Sequence, residues 1–367
     1  MRKILLVTLC DQMNLGNRLQ NYALQTILQF LGYEVTNLIH IKNNSYFINL
    51  KIKKIIKLCL AKAGVKHFQD SLKREKFATI RKDRFIKFSN QFIKNQMTIG
   101  NNNITNIDFS IYDYAVTGSD QVWHNWKKFK GELEFFYLSF MPKKKRIAYA
   151  PSFGFSSFPL KDIERHKTGL LGMNFISCRE YSGAMLINEL VGRTVPIVID
   201  PVFLLKIDDW NKIIKKPFYD IPERFMLVYF LGETKEEQNK WYMSLKNQRK
   251  LEVINIMEMQ ESDYYLTNPL EFIWLVKNAE YICTDSFHAC AFSVLYHKEF
   301  MVFKRNGNGF EDMFDRIEGM LLEFGLDNYI YGKHYKKNII WHEVDKVIQF
   351  KTEKSIEYLK TALSDKI

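Results

Sequence analysis

No run in this sequence is long and apolar enough to span a bilayer. The opening stretch, Met1-Arg-Lys-Ile-Leu-Leu-Val-Thr-Leu-Cys10, superficially resembles a secretion signal. Its apolar run is too short, however, and Asp11 interrupts it before any small-residue cleavage site. It reads better as a first buried strand. Only five cysteines are present, an odd number at irregular spacing, which argues against a disulfide framework and for a reducing compartment. The expected location is cytoplasmic. No zinc-finger spacing and no aromatic RNP-type motif occurs, so nucleic acid is not an expected partner. Cys283, His288 and Cys290 are close together, but C-x4-H-x-C is no usual zinc pattern, and no metal is expected. There is no Walker loop, no GxGxxG fingerprint, no internal repeat and no low-complexity tract.

What is present is a chain of 367 residues, 47% hydrophobic, enough for about two domains of ordinary size with a sizeable core. The net charge of +12 invites an acidic partner: an anionic membrane surface or a phosphorylated substrate. The densest basic stretch, between Lys51 and Lys94, opens with Lys51-Ile-Lys-Lys-Ile-Ile-Lys-Leu-Cys-Leu-Ala-Lys62. This segment gathers Ile52, Ile55, Ile56 and Cys59 on one helical face. It is a candidate peripheral contact with the inner face of a membrane. The competing reading is an ordinary surface helix with its lysines in water.

Short apolar runs alternate with helical patterns, as in βαβ units. Strands are expected at Lys3–Leu9, Glu34–Ile39, Tyr114–Thr117, Arg146–Ala150, Phe175–Cys178 and Ile197–Ile199, then at Phe225–Leu231, Glu252–Ile256, Tyr281–Thr284 and Phe300–Phe303. Asp200-Pro201 and the Lys-, Asp- and Pro-rich stretch after it read as a junction. The expected domains are therefore 1–205, 206–345 and a C-terminal helix over 346–367 that packs back on the first.

Four segments carry candidate chemistry. In Thr284-Asp-Ser-Phe-His288, helix-starting residues follow a buried strand and place His288 in a first helical turn, where open α/β sheets bind ligands. In Gly16-Asn-Arg-Leu-Gln-Asn21, Gly16 and Asn17 permit a tight turn, and Arg18 brings a cation toward a phosphate or sugar. In Gly118-Ser-Asp-Gln-Val-Trp123, Gly118 lets the backbone approach a ligand, Asp120 is a candidate base, Gln121 a polar contact and Trp123 a platform for a sugar face. In Cys178-Arg-Glu-Tyr-Ser182, Arg179 suits bidentate binding of a carboxylate or phosphate, or else pairs structurally with Glu180 or Asp200. The basic loop after Phe303 adds Lys304 and Arg305, and Arg316 follows as surface charge.

Taken in order, these blocks resemble the polysaccharide pyruvyl transferase family over most of the chain. The resemblance implies an α/β, GT-B-like architecture, two Rossmann-like domains with parallel sheets facing a cleft. It also implies transfer of pyruvate from phosphoenolpyruvate to a sugar hydroxyl pair as a cyclic ketal, with release of phosphate. The acceptor would be a glycan or lipid-linked oligosaccharide of surface polysaccharide assembly, and no cofactor beyond the donor is implied. On this reading the first domain faces the acceptor and the second the donor. His288 is the candidate acid and Asp120 the candidate base. Arg179, Ser286, Lys304 and Arg305 are donor ligands, and Asn17, Arg18, Gln121 and Trp123 acceptor ligands. Many family members carry an arginine two residues before the histidine, where this chain has Ser286. Lys304, Arg305 or Arg18 is expected to replace that cation. Many also carry an acidic residue in the turn after Gly-Asn, where this chain has Arg18-Leu-Gln20. A glycosyltransferase of the same architecture using a nucleotide sugar, and a non-catalytic glycan-binding or membrane-docking protein, are the alternatives.

Overall fold

The protein is described by a computed structural model covering residues 1–10, 13–40, 60, 62, 65–100, 104, 107–257, 262–305, 314–333 and 338–364. The Lys51–Lys62 segment, apart from Leu60 and Lys62, is outside the described residues.

The first sheet contains β1 (Lys3–Val7), β2 (Glu34–His40), β3 (Gln96–Ile99), β4 (Tyr114–Thr117), β5 (Arg146–Ala148) and β6 (Phe175–Ile176). All pairings are parallel, in the order β3-β2-β1-β4-β5-β6. The second contains β7 (Phe225–Tyr229), β8 (Glu252–Asn255), β9 (Tyr281–Thr284) and β10 (Glu299–Val302), again parallel, in the order β10-β9-β7-β8. Central strands buried on both faces must be apolar throughout. Ile4-Leu-Leu-Val7 and Phe225-Met-Leu-Val-Tyr229 meet that demand with no exposed side chain. Each sheet reverses its strand order once, between β1 and β4 and between β7 and β9. Such reversals open a crevice at the carboxyl ends of the strands.

Two expectations change. β3 was not foreseen: Gln96-Met-Thr-Ile99 is an edge strand that buries little, so it shows no apolar run. Ile197–Ile199 is no strand. Pro196 and Pro201 bound it, and only the bridge from Cys178 to Ile197 forms.

The helices that shape the site are α1 (Leu15–Phe30), α2 (Lys66–Phe92), α3 (Tyr181–Val191), α4 (Phe287–Leu295), α5 (Asp315–Glu323) and α6 (Trp341–Ala362). α1 buries Leu19, Ala23, Leu24, Ile27 and Leu28 at helical spacing, and Gly32 follows its end at φ +91°. One apolar cluster contains Leu19 and Ala23 of α1, Phe292 of α4 and central residues of both sheets. α2 bridges the two halves: Arg81 Nη1 donates to the carbonyls of Ile256 (3.1 Å) and Tyr265. α6 lies on the first half, where Tyr358 Oη donates to Ala148 O (2.8 Å) and Ser355 Oγ accepts from Ile199 N (2.9 Å).

Candidate active site

Both strand-order reversals open onto one cavity of about 280 Å³. Leu9 beyond β1 and Asp120 beyond β4 line it from the first half. Leu231 beyond β7 and Ser286 beyond β9 line it from the second.

His288 stands at the centre of this arrangement. Thr284 closes β9, and its Oγ1 accepts from Ser286 N (3.0 Å). Ser286 then caps α4, its Oγ accepting from Ala289 N at 3.4 Å. Asp285 pins the facing loop by accepting from Leu231 N (2.7 Å) and Gly232 N (2.8 Å). The imidazole is 6% exposed and packs directly against α1 at Gly16. A Cβ at Gly16 would sit 2.0 Å from His288 Nδ1, so only glycine fits.

His288 Nε2 is 3.7 Å from Asp200 Oδ2. The same oxygen accepts from Arg179 Nη1 (2.7 Å) and Ser119 Oγ (2.9 Å). The imidazole of one half and the guanidinium of the other therefore meet at a single carboxylate. Burial holds the imidazole below its ordinary pKa; Asp200 and Asp120 pull it up, and Arg179 and Arg316 push it further down.

Asp120 holds a left-handed backbone, φ +68°, a conformation few non-glycine residues adopt. Ser152 N donates to its carbonyl (2.8 Å), and Asn17 Nδ2 donates to its Oδ2. Its Oδ1 lies 3.4 Å from Arg316 Nη1 and 3.6 Å from Arg179 Nη2. Burial raises this carboxyl, but Arg179, His288 and Arg316 outweigh it and hold Asp120 below the usual range. Its cationic neighbours thus lower the basicity of this carboxylate.

The expected ligands divide. Asn17, Asp120, Gln121, Ser286, His288 and Arg305 line the cavity. Trp123 does not: it is fully buried, with ring centroids 5.0 Å from Tyr137 and 5.1 Å from Phe153, and has no face for a sugar. Arg18 is also turned inward, donating to Ser89 Oγ and Leu9 O at 3.2 Å each. Lys304 is exposed beside the Phe314 ring, 5.4 Å from its centroid, and is not among the lining residues. Gly118 makes room for packing, since a Cβ there would fall 2.7 Å from Leu24 Cδ2. Arg179 makes both of the structural pairs considered from sequence, with Asp200 and with Glu180 (3.6 Å). It lines a second cavity, of about 320 Å³, which shares Phe287 and Arg316 with the first.

Sequence reasoning missed Arg316. It is 8% exposed and lines both cavities, the first of them together with Ser286. Desolvation, then Arg179, lower its pKa to about 10. Lys128 and Trp126 were missed as well, and both line the first cavity. No local signal marks these residues, because their placement depends on long-range packing. Among the described residues no cluster of three or more His, Cys, Asp or Glu could hold a metal ion. No described helix is long and apolar enough to cross a membrane.

Two parallel sheets opening onto a shared, charged crevice define a GT-B-like α/β protein. A UDP complex of MnaA from S. aureus has this fold (TM-score 0.52, 11% identity, 99% of this chain and 97% of that one). So does a structure assigned to UDP-N-acetylglucosamine 2-epimerase from Listeria monocytogenes (TM-score 0.52, 10% identity, 99% and 91%). No curated protein matches the chain in sequence. The family model for polysaccharide pyruvyl transferase matches residues 14–307, and the chain belongs to that family, a family of transferases.

Proposed function

We propose that the protein transfers pyruvate from phosphoenolpyruvate to two hydroxyls of a sugar as a cyclic ketal, on a glycan or lipid-linked acceptor of surface polysaccharide assembly. The observation that carries this reading is a buried imidazole in a cavity whose charged walls are mostly cationic. Arg316, Arg305 and Lys128 line it against the single carboxylate of Asp120. Such a cavity suits a small anion carrying both phosphate and carboxylate.

The donor takes the first cavity, with Arg316, Arg305 and Lys128 on its anionic groups and Ser286 at the α4 N-terminus beside it. A bound dianion raises the pKa of His288, which then delivers a proton to the enol carbon. The adjacent carbon becomes oxocarbenium-like, and one sugar hydroxyl attacks it. The carbon–oxygen bond to phosphate breaks, and the second hydroxyl closes the ketal. The two hydroxyl protons balance one proton gained by the new methyl group and one carried off on phosphate. Asp120, held low by Arg179, His288 and Arg316, remains ionised and holds Arg316 in place, and Asp200 holds Arg179 and His288. Arg179 acts on the donor through this network.

Thermal shift separates this reading from the alternatives, because a ligand that binds only the folded state raises its apparent stability. Phosphoenolpyruvate is expected to stabilise, and a panel of acceptor glycans to trigger phosphate release. Stabilisation by a nucleotide sugar and not by phosphoenolpyruvate would replace the reading with glycosyl transfer. Stabilisation by neither would leave a glycan-binding role.

A further inference from the structure

We infer that Asp285 is a positioning residue for the donor: it grips the Arg305 guanidinium at two points on the wall of the first cavity. The inference rests on the donor occupying that cavity.

The sheet topology brings the grip about. β9 lies between β10 and β7, with a neighbour about 4.8 Å away on either side. The residue that follows β9 is therefore within reach of the loops leaving both neighbours. Thr284 ties the neighbours in first: its Oγ1 donates to Tyr229 O (2.6 Å), and its carbonyl accepts from Phe303 N (2.8 Å). Asp285 comes next and is 4% exposed. Oδ1 accepts from Leu231 N and Oδ2 from Gly232 N, both beyond β7. From the other side comes Arg305, three residues beyond β10. Its Nε donates to the same Oδ2 and its Nη2 to the carbonyl oxygen of Asp285, each at 3.3 Å.

Arginine has a long, mobile side chain, and ordering it at the moment of binding costs affinity. Here a carboxylate and a carbonyl fix the plane of the guanidinium beforehand. The grip uses two of its five N–H donors. Arg305 lines the cavity together with Leu231, Ser286 and His288, whereas Asp285 does not line it. A guanidinium held in one plane offers an anion a fork of defined direction, which a lysine ammonium cannot. Asp285 thus acts on the donor through Arg305, and through the Leu231 loop that it holds on the opposite wall.

The test uses the full chain, with phosphoenolpyruvate as the probe. Asp285→Asn keeps the size of the side chain and removes one acceptor. It is expected to weaken phosphoenolpyruvate binding at least 10-fold by calorimetry. In phosphate-release assays with a working acceptor the loss should fall on KM, with kcat within threefold of the parent. Because Asp285 acts through Arg305, the two losses should not add. The double variant Asp285→Asn, Arg305→Ala should bind within threefold of Arg305→Ala alone. Losses that multiply would show a separate structural role and overturn the inference. Arg305→Lys covers the case in which Asp285→Asn fails to fold. It keeps the charge but cannot span both contacts, and should bind at least 10-fold more weakly than the parent; full affinity would overturn the inference. The Arg305 Nε–H NMR signal is a readout that needs no donor. It should be sharp and slow to exchange in the free protein and broadened by Asp285→Asn, and a signal unmoved by that substitution would overturn the inference as well. If phosphoenolpyruvate fails to bind the parent protein while this signal behaves as expected, the donor reading falls and the positioning of Arg305 is upheld.

Discussion

Gly16→Ala is a one-methyl perturbation aimed at the imidazole. The added Cβ would meet His288 Nδ1 at 2.0 Å, Cγ at 2.5 Å and Cε1 at 2.8 Å. Ordinary contact begins near 3.4 Å, so the ring must move by 3.4 − 2.0 = 1.4 Å, or α1 must move away from it. A misplacement of about 1 Å costs roughly 100-fold in rate, equivalent to about 2.7 kcal/mol of transition-state stabilisation. The fold should suffer less. Overpacking costs about 1–3 kcal/mol, and replacing a helical glycine by alanine returns roughly 0.5–1 kcal/mol. The variant should therefore remain folded, with a stability loss of at most about 2.5 kcal/mol, while turnover drops about 100-fold. Urea denaturation gives the first quantity and phosphate release the second. Histidine-selective NMR should show the His288 resonances shifted. Combining Gly16→Ala with His288→Ala should recover most of the lost stability, because the clash is then gone. Full turnover with unmoved His288 resonances would refute the reasoning.

Three other outcomes follow from particular side chains. Trp123→Ala should cost about 3–5 kcal/mol of stability, as emptying a core site does; a change in acceptor KM with stability intact would contradict its burial. Arg316→Ala should weaken phosphoenolpyruvate binding roughly 10- to 100-fold by calorimetry, with Arg316→Lys recovering part of it; unchanged affinity in both would remove Arg316 from the donor cradle. His166 is buried with its Nδ1 2.8 Å from Tyr137 Oη, and burial pushes its pKa down to about 4 from 6.5. The unfolded chain therefore takes up a proton near pH 6.5 that the folded chain refuses until about pH 4. Stability should be unaffected above pH 6.5 and fall by up to about 3 kcal/mol between 6.5 and 4. His166→Gln should flatten that slope in denaturation curves measured across the range, and an unchanged slope would show that another group sets it.

Local patterns reveal a residue's chain context but not the direction it faces in the fold. The strand, cap and first-turn order around His288 was legible because each part has its own local cause: apolar Tyr281–Cys283, the hydroxyl of Thr284, the cap at Ser286. The same logic recovered the carboxyl-end placement of Asn17, Asp120 and Gln121. It failed for Arg18 and Trp123, since a guanidinium or indole after a strand looks alike whether it turns outward to a ligand or inward to Ser89 or Phe153. It failed for Arg316 because nothing near that residue in sequence signals burial; α5 acquires its role only by packing over Asp120. β3 escaped notice because an edge strand needs no apolar run. Asp200 was visible as a junction beside Pro201, but its role as the shared acceptor of Ser119 and Arg179 beside His288 is a purely tertiary fact.

The central claim is that an anionic donor sits against His288. It is tested most directly by an NMR pH titration of the His288 ring, with and without phosphoenolpyruvate. In the free protein the imidazole should titrate below its ordinary value, because burial disfavours its charge. With donor bound, its midpoint should move upward. A midpoint that stays in place at saturating phosphoenolpyruvate would contradict the account.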